Sequence, residues 1–254
     1  ARGWPGLPGL PREAVRAAGA DPGEAVVISV LCPSRGRPDW LARSVRSLRD
    51  TAATAPEILV AADDDDPETI EVATALGTRV LVSGRAGYDR LHEYYQRLAA
   101  MARGDWLLVW NDDATMMTQD WDAVIDRLPG TVHVAGVQSP HSPLCCFPAV
   151  RRGAVAAIGK FCTDNPHVDT FWGDIAAAAG TFRETGVYAH CESPSGCNPH
   201  DFYSPAHQAE MARCARVLRE LRDGQTGGVR ALPGVCVMVR YSRLGSAGSA
   251  WHGR

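Results

Sequence analysis

Ile58-Leu59-Val60-Ala61-Ala62 runs into Asp63-Asp64-Asp65-Asp66, and Trp106-Leu107-Leu108-Val109-Trp110 runs into Asn111-Asp112-Asp113. Apolar runs of that length, unbroken by polar residues, read as strands of a parallel sheet buried on both faces. Their carboxylates then stand at strand ends, where open α/β sheets bind ligands. Carboxylates gathered at one edge repel each other unless something positive sits among them. A hydrated divalent cation with a diphosphate behind it answers that requirement economically.

Outward from these two runs the chain alternates. The segment 26–31 reads as a first strand ending at Cys32-Pro33-Ser34-Arg35-Gly36-Arg37-Pro38, and a helix over 39–51 follows with Leu41, Val45 and Leu48 on one face. After the strand 58–62 come a helix over 67–76 and a short strand over 79–83. A longer amphipathic helix over 88–103 turns Leu91, Tyr95, Leu98 and Ala102 inward, and Gly104 stops it before the Trp106 strand. This is β-α-β-α-β-α-β, the order of a doubly wound parallel sheet. Beyond Asp113 the pattern loosens: helices are expected over 120–128, 169–179 and 208–222, and strands over 132–137, 186–189 and 235–239.

Composition narrows the function classes. The 254 residues are 45% hydrophobic, enough for one large domain or two small ones, and the net charge of −3 argues against nucleic acid as the main partner. No apolar stretch approaches the roughly 18 residues of a membrane span. Eight cysteines include no Cys-x-x-Cys pair, which reads as reduced thiols in a cytoplasmic protein. A zinc site from Cys191, Cys197 and a neighbouring histidine is the competing use of two of them. Residues 1–24 are rich in Gly, Pro, Ala and Arg without the apolar core of a signal peptide, so they read as a flexible extension with no export signal. The chain begins at Ala1, as a processed or partial product would.

Motifs that are missing also decide. There is no Gly-x-Gly-x-x-Gly after the first strand and no Gly-x4-Gly-Lys-Ser/Thr, which argues against a dinucleotide dehydrogenase and a P-loop enzyme. His-Glu-x-x-His and Gly-x-Ser-x-Gly are absent as well. What remains is a first loop carrying Ser34, Arg35 and Arg37 beside two acidic strand ends, a set suited to a sugar nucleotide. Arginine matches a diphosphate because its guanidinium offers paired donors and stays charged.

The three segments 27–38, 62–67 and 104–113 resemble the successive signatures of family 2-like glycosyltransferases with the GT-A fold. The resemblance covers about residues 25–210 and is strong through Trp121. It implies a single α/β domain, GT-A-type, with a Rossmann-like, mostly parallel sheet flanked by helices. Residues 25–130 would form the nucleotide-sugar-binding half and 131–240 the acceptor-binding and catalytic half, with 241–254 a flexible tail. By that resemblance Pro33, Ser34, Arg35, Arg37 and Asp63, Asp64 and Asp65 border the donor nucleotide. The Asp-x-Asp signature puts Asp113, with Asp112 beside it, on a Mn or Mg ion against the diphosphate, and Asn111 replaces the motif's first acid. His190, or failing that His200, would complete the metal shell.

Inverting members of the family use a carboxylate at a helix start as general base, and Asp169 sits where that base would be, with Asp174 in reserve. Asp169 also suits the N-cap of its helix, and the two roles can coexist. Trp172, next to it, is a candidate for stacking on a sugar, whereas Trp106, Trp110 and Trp121 read as packing. The Gln-x-x-Arg-Trp motif of processive synthases is absent. The resemblance therefore implies an inverting, non-processive, hexosyltransferase-like enzyme moving a sugar from a UDP- or GDP-sugar to a glycan or other hydroxyl, with residues 194–199 as a loop over the acceptor. The alternatives are a sugar-phosphate nucleotidyltransferase and a non-catalytic nucleotide-sugar or glycan-binding relative.

Overall fold

A computed structural model of the chain describes residues 15–16, 27–139, 142–191 and 204–225. Cys197, His200, the loop 194–199, the strand expected over 235–239, the tail 241–254 and, apart from Val15 and Arg16, the N-terminal extension lie outside the described residues. In chain order the elements are β1 (Val15–Arg16), β2 (Ile28–Pro33), α1 (Pro38–Asp50), β3 (Glu57–Asp63), α2 (Pro67–Ala75), β4 (Arg79–Ser83), a 3-10 turn (Tyr88–Arg90) leading into α3 (Leu91–Met101), β5 (Trp106–Val109), β6 (Ala114–Met116), α4 (Trp121–Asp126), β7 (Val134–Ser139), β8 (Ser142–Arg151), α5 (Arg152–Ile158), α6 (Val168–Ala179), β9 (Phe182–Cys191) and α7 (Pro205–Gln225). The strands lie in the order β1-β4-β3-β2-β5-β8-β7-β9-β6.

Strands β4, β3, β2 and β5 are parallel, and β2 has β3 on one side and β5 on the other. The strand order therefore reverses at β2, which opens a crevice at the carboxyl ends of β2 and β5. The rest of the sheet is mixed: β8 runs antiparallel to β5, β7 antiparallel to β8, β9 parallel to β7, and β6 antiparallel to β9.

Side chains of the parallel strands alternate between two cores, as the pleat requires. Leu31, Leu59, Ala61, Leu107 and Val109 join a core with α3, α5, α6 and α7. Ile28, Val30, Cys32, Ile58, Val60, Trp106, Leu108 and Trp110 join the other, with α1 and α4. In α1 the positions Leu41, Val45 and Leu48 are fully buried. Each such side chain stabilises the fold by roughly 1.5–3 kcal/mol. Three tryptophans also spend their N–H groups inside: Trp110 donates to Ser44 Oγ at 2.8 Å, Trp121 to the Leu48 carbonyl at 3.0 Å and Trp172 to the Phe161 carbonyl at 2.7 Å.

Three expectations change. The helix expected over 88–103 begins as a 3-10 turn and ends at Met101, with Ala102 already extended at ψ 145°. Gly104 therefore does not stop it; a Cβ there would lie 2.6 Å from the Ser29 nitrogen, so glycine serves the close approach of this turn to β2. Strand β8 and helix α5 had no counterpart in the sequence pattern, because Pro143 and Pro148 interrupt the strand and α5 is only seven residues long. No helix among the described residues is long and apolar enough to cross a membrane.

Candidate functional site

Four loops meet at the crevice. The loop between β2 and α1 carries Ser34, Arg35, Gly36 and Arg37, and it starts from a fixed point because the Ser34 amide donates to the Ala61 carbonyl at 2.9 Å. Its far end is fixed too, since Pro38 opens α1 with its φ already helical. The other loops carry Asp63–Asp66 after β3, Gly84–Tyr88 after β4 and Asn111–Asp113 after β5.

The first loop divides its contacts between the two acidic ones. Arg35 pairs with Asp63 at 2.7 Å and with both carboxylate oxygens of Asp65, and the Gly36 amide donates to Asp66 at 2.7 Å. The hydrogen bond from Arg35 is the main reason the Asp65 carboxyl lies below its ordinary range. Asp66 is the N-cap of α2, accepting from the Thr69 amide. Asp64 is exposed, whereas Asp63 is buried. The second oxygen of Asp63 accepts from the Tyr94 hydroxyl, and that hydroxyl accepts in turn from the Ala86 amide at 2.7 Å. Tyr94 thus ties α3, the end of β3 and the loop after β4 into one rigid corner.

On the other side, Ser34 Oγ donates to Asp112 at 2.8 Å, and Arg37 reaches Asp112 at 2.7 Å and Asp113 at 3.3 Å. Burial pushes the Asp112 carboxyl up, and the neighbouring Asp113 adds to this, while Ser34 and Arg37 oppose it without cancelling it. Asn111 is exposed, and its Oδ1 accepts a long hydrogen bond of 3.4 Å from Tyr95, whose hydroxyl also donates to the Trp110 carbonyl at 2.9 Å. Pro33 ends β2 half-buried at the mouth of this group.

Asp169 lies in the first turn of α6. His167, not Asp169, is the N-cap residue, because Val168 is already helical. Asp169 is half-buried, and burial pushes its carboxyl up despite the Thr170 amide and the nearby His167, which favour the charged form. It shares electrostatic surroundings with the acidic loop: burial first, and then the charges of Cys32, Asp169 and Asp112, push the Tyr95 hydroxyl well above its ordinary range. The start of α6 is held in place by Gln96, which accepts from the Phe161 amide at 2.9 Å, and by the Trp172 anchor. Asp174 is exposed, and five residues along a helix put it about 140° round from Asp169.

The geometry bears on two further candidates. Trp172 is fully buried and meets Phe171 edge-on at 5.4 Å between centroids, so it is core and has no face left for a sugar. The residue brought against Asp113 from β9 is Cys191, with Sγ 3.4 Å from Oδ1, and the pleat turns His190 to the opposite face of the strand. Tyr94, Tyr95 and Cys191 are the participants the sequence reading had not assigned to the site. Tyr95 stood on the inward side of α3, which by periodicity alone reads as core, and Cys191 entered only as a candidate zinc ligand.

The chemistry of the donor set suits a hard divalent cation. Among the described residues no three His, Cys, Asp or Glu side chains converge as a ligand cage. Small hard cations are held well by one or two carboxylates plus substrate phosphates, and Asp112 and Asp113 supply those carboxylates.

A mostly parallel sheet curling into a mixed second half, with acids at its switch point, defines the GT-A class of α/β transferase folds. The family model for glycosyl transferase family 2 matches residues 29–177, more than half of the chain. The chain belongs to that family and is a glycosyltransferase. Among curated protein sequences none matches it. Similar solved structures share the fold at low identity. The mannosyltransferase PcManGT from Pyrobaculum calidifontis, in complex with GDP-Man and Mn2+, has a TM-score of 0.54 at 12% identity, over 85% of this chain and 79% of that one. S. aureus TarS 1-349 in complex with UDP has a TM-score of 0.52 at 14% identity, over 76% of this chain and 65% of that one. Glucosyl-3-phosphoglycerate synthase from Mycobacterium tuberculosis, with Mn2+, UDP and glucosyl-3-phosphoglycerate, has a TM-score of 0.50 at 13% identity, over 82% and 87%.

Proposed function

We propose that the chain is an inverting, non-processive glycosyltransferase that moves a sugar from a nucleoside diphosphate donor to an acceptor hydroxyl with the help of Mn or Mg. The observation that carries this reading is the convergence of two acidic loops on one arginine-bearing loop at the switch point of the sheet. Solved structures of the same fold bind GDP-Man with Mn2+ or UDP with Mn2+, which supports the donor class and the metal.

Asp113 and Asp112 would hold the cation, which supplies Lewis acidity toward the leaving diphosphate. On the nucleoside side Asp63 is the buried acceptor, with Arg35 and Tyr94 fixing its two oxygens and Pro33, Ser34, Asp64 and Asp65 around it. Asp169 is the general base: its carboxylate takes the proton from the acceptor hydroxyl as that oxygen attacks the anomeric carbon. A cytoplasmic location belongs to the same reading and is supported by Cys32, Cys162 and Cys214, which form no disulfide among the described residues.

The test is thermal stability against UDP-, GDP-, CDP- and dTDP-sugars, with and without Mn. A ligand that binds only the folded state raises the midpoint, by about 2.7 kcal/mol of stabilisation at a hundredfold excess over Kd. A rise for one nucleotide class that requires Mn is the expected result. No shift for any donor with metal present would remove the transferase reading in this form.

Tyr94→Phe tests the nucleoside side. It removes one donor to Asp63 and leaves the Ala86 amide unpaired. At about 1–1.5 kcal/mol for such a bond, nucleotide affinity should fall roughly five- to tenfold. Steady-state kinetics should place the loss in the donor KM with kcat little changed; a fall confined to kcat would contradict the assignment.

A further inference from the structure

Asp112 and Asp113 are both anchored and covered. Their side chains are 2% and 8% exposed, and the guanidinium that closes on them belongs to Arg37, which is 46% exposed. One Asp112 oxygen takes the Ser34 hydroxyl and the other takes Arg37, so both oxygens already carry a donor and the guanidinium occupies an approach that a cation would need. Arg37 Nη1 meets Asp113 Oδ2 at 3.3 Å, a looser contact. Two carboxylates and one guanidinium leave one net negative charge at the end of β5, too little to hold a divalent ion strongly against the charge already there.

The two sides of this cluster differ in freedom. The carboxylates ride on a buried loop directly after β5. The arginine rides on a long side chain half in water, between Gly36 at φ +65° and Pro38 at the start of α1. Its backbone is the N-cap of α1, and it is the side chain that stands partly in water. A guanidinium has no lone pair to offer a metal, so Arg37 and a divalent cation exclude each other at these oxygens. Once displaced, it remains within the same crevice, where a diphosphate offers it paired oxygens.

We propose that Arg37 is an exchangeable counter-cation. It holds Asp112 and Asp113 while the donor is away, yields them to the metal, and passes its guanidinium to the diphosphate. Metal and diphosphate then bind as a coupled pair, and metal alone binds weakly. This rests on the donor site proposed above.

Mn2+ binding to the purified full chain, followed by the electron paramagnetic resonance of free Mn2+ and by calorimetry, tests it without catalysis. Arg37→Gln and Arg37→Ala should each bind Mn2+ alone more tightly than the wild type, by a factor within the roughly 5- to 150-fold usual for coupled ligands. Inorganic pyrophosphate titrated in excess Mn2+ should bind both variants more weakly than the wild type. Asp113→Asn should lose Mn2+ in every background. If both Arg37 variants bind Mn2+ no tighter than the wild type, while Asp113→Asn still loses it, the exchange is overturned and the metal site stands. If no variant binds Mn2+, the exchange and the metal-dependent reading fall together. Melting curves of the variants identify any loss that comes from unfolding.

Discussion

Asp169→Asn should lower kcat by about 10²- to 10⁴-fold, the range that a positioned general base supplies, while donor binding measured by calorimetry stays at the wild-type value. The substitution keeps the shape of the side chain and removes only its capacity to take a proton. Folding should not suffer. Burial raises the Asp169 carboxyl above its ordinary value of 3.8, so its ionised form is a cost to the folded state at neutral pH, and a neutral amide relieves that cost. The variant should melt at or slightly above the wild-type temperature. The same shift sets the sign of the pH profile. The base works only when deprotonated, so wild-type kcat should fall as the pH drops through a value raised by burial above that of an ordinary aspartate. Normal turnover in Asp169→Asn would transfer the role to Asp174 or remove the base from α6 altogether.

The largest loss of stability is expected far from the chemistry. Glu57, at the start of β3, is buried and receives the Ser29 hydroxyl, the Arg103 amide at 2.8 Å, the Arg103 side chain at 2.7 Å and the Arg79 guanidinium. Ser29 in turn accepts from the Gly104 amide at 2.8 Å, so the knot joins β2, β3, β4 and the turn before β5. Glu57→Ala should cost about 3 kcal/mol, the low end for breaking a buried pair, because Arg79 and Arg103 can turn partly to water. For a chain of this length that is a drop of about 6–12 °C in the melting midpoint. Burial on its own would raise the Glu57 carboxyl, but its hydrogen bonds outweigh that and hold it below 4.5. Its contribution is therefore present above pH 4.5 and lost as the pH falls through the depressed value. Glu57→Gln should flatten that part of the acid-denaturation curve, and an unchanged midpoint in Glu57→Ala would show the knot to be ornamental.

The parallel half of the fold was legible because its strands are buried on both faces and so are written as unbroken apolar runs. The strand 79–83 was read to the residue. Strand β8 was not, since a strand with two prolines and neighbouring cysteines has neither alternation nor an apolar run. The acidic loops were found for the same reason as the strands that carry them. What the sequence could not supply was which side chain each acid turns to. That depends on the pleat of β9, which sets Cys191 against Asp113, and on the rotation of α3, which aims Tyr94 at Asp63. Trp172 stayed a candidate for stacking in the sequence because an aromatic beside a candidate base reads alike whether it faces a substrate or the core.

The four residues Ser34 to Arg37 touch both acidic loops, Ser34 and Arg37 reaching the one after β5 and Arg35 and Gly36 the one after β3. Inheritance of this site is therefore not piecemeal. A single residue inserted into that short loop would shift the register of one set of contacts against the other, so changes of length there should be far rarer among descendants than changes of side chain. An engineer who wishes to transplant donor preference from another transferase would have to move the loops after β2, β3 and β5 together, as one cassette.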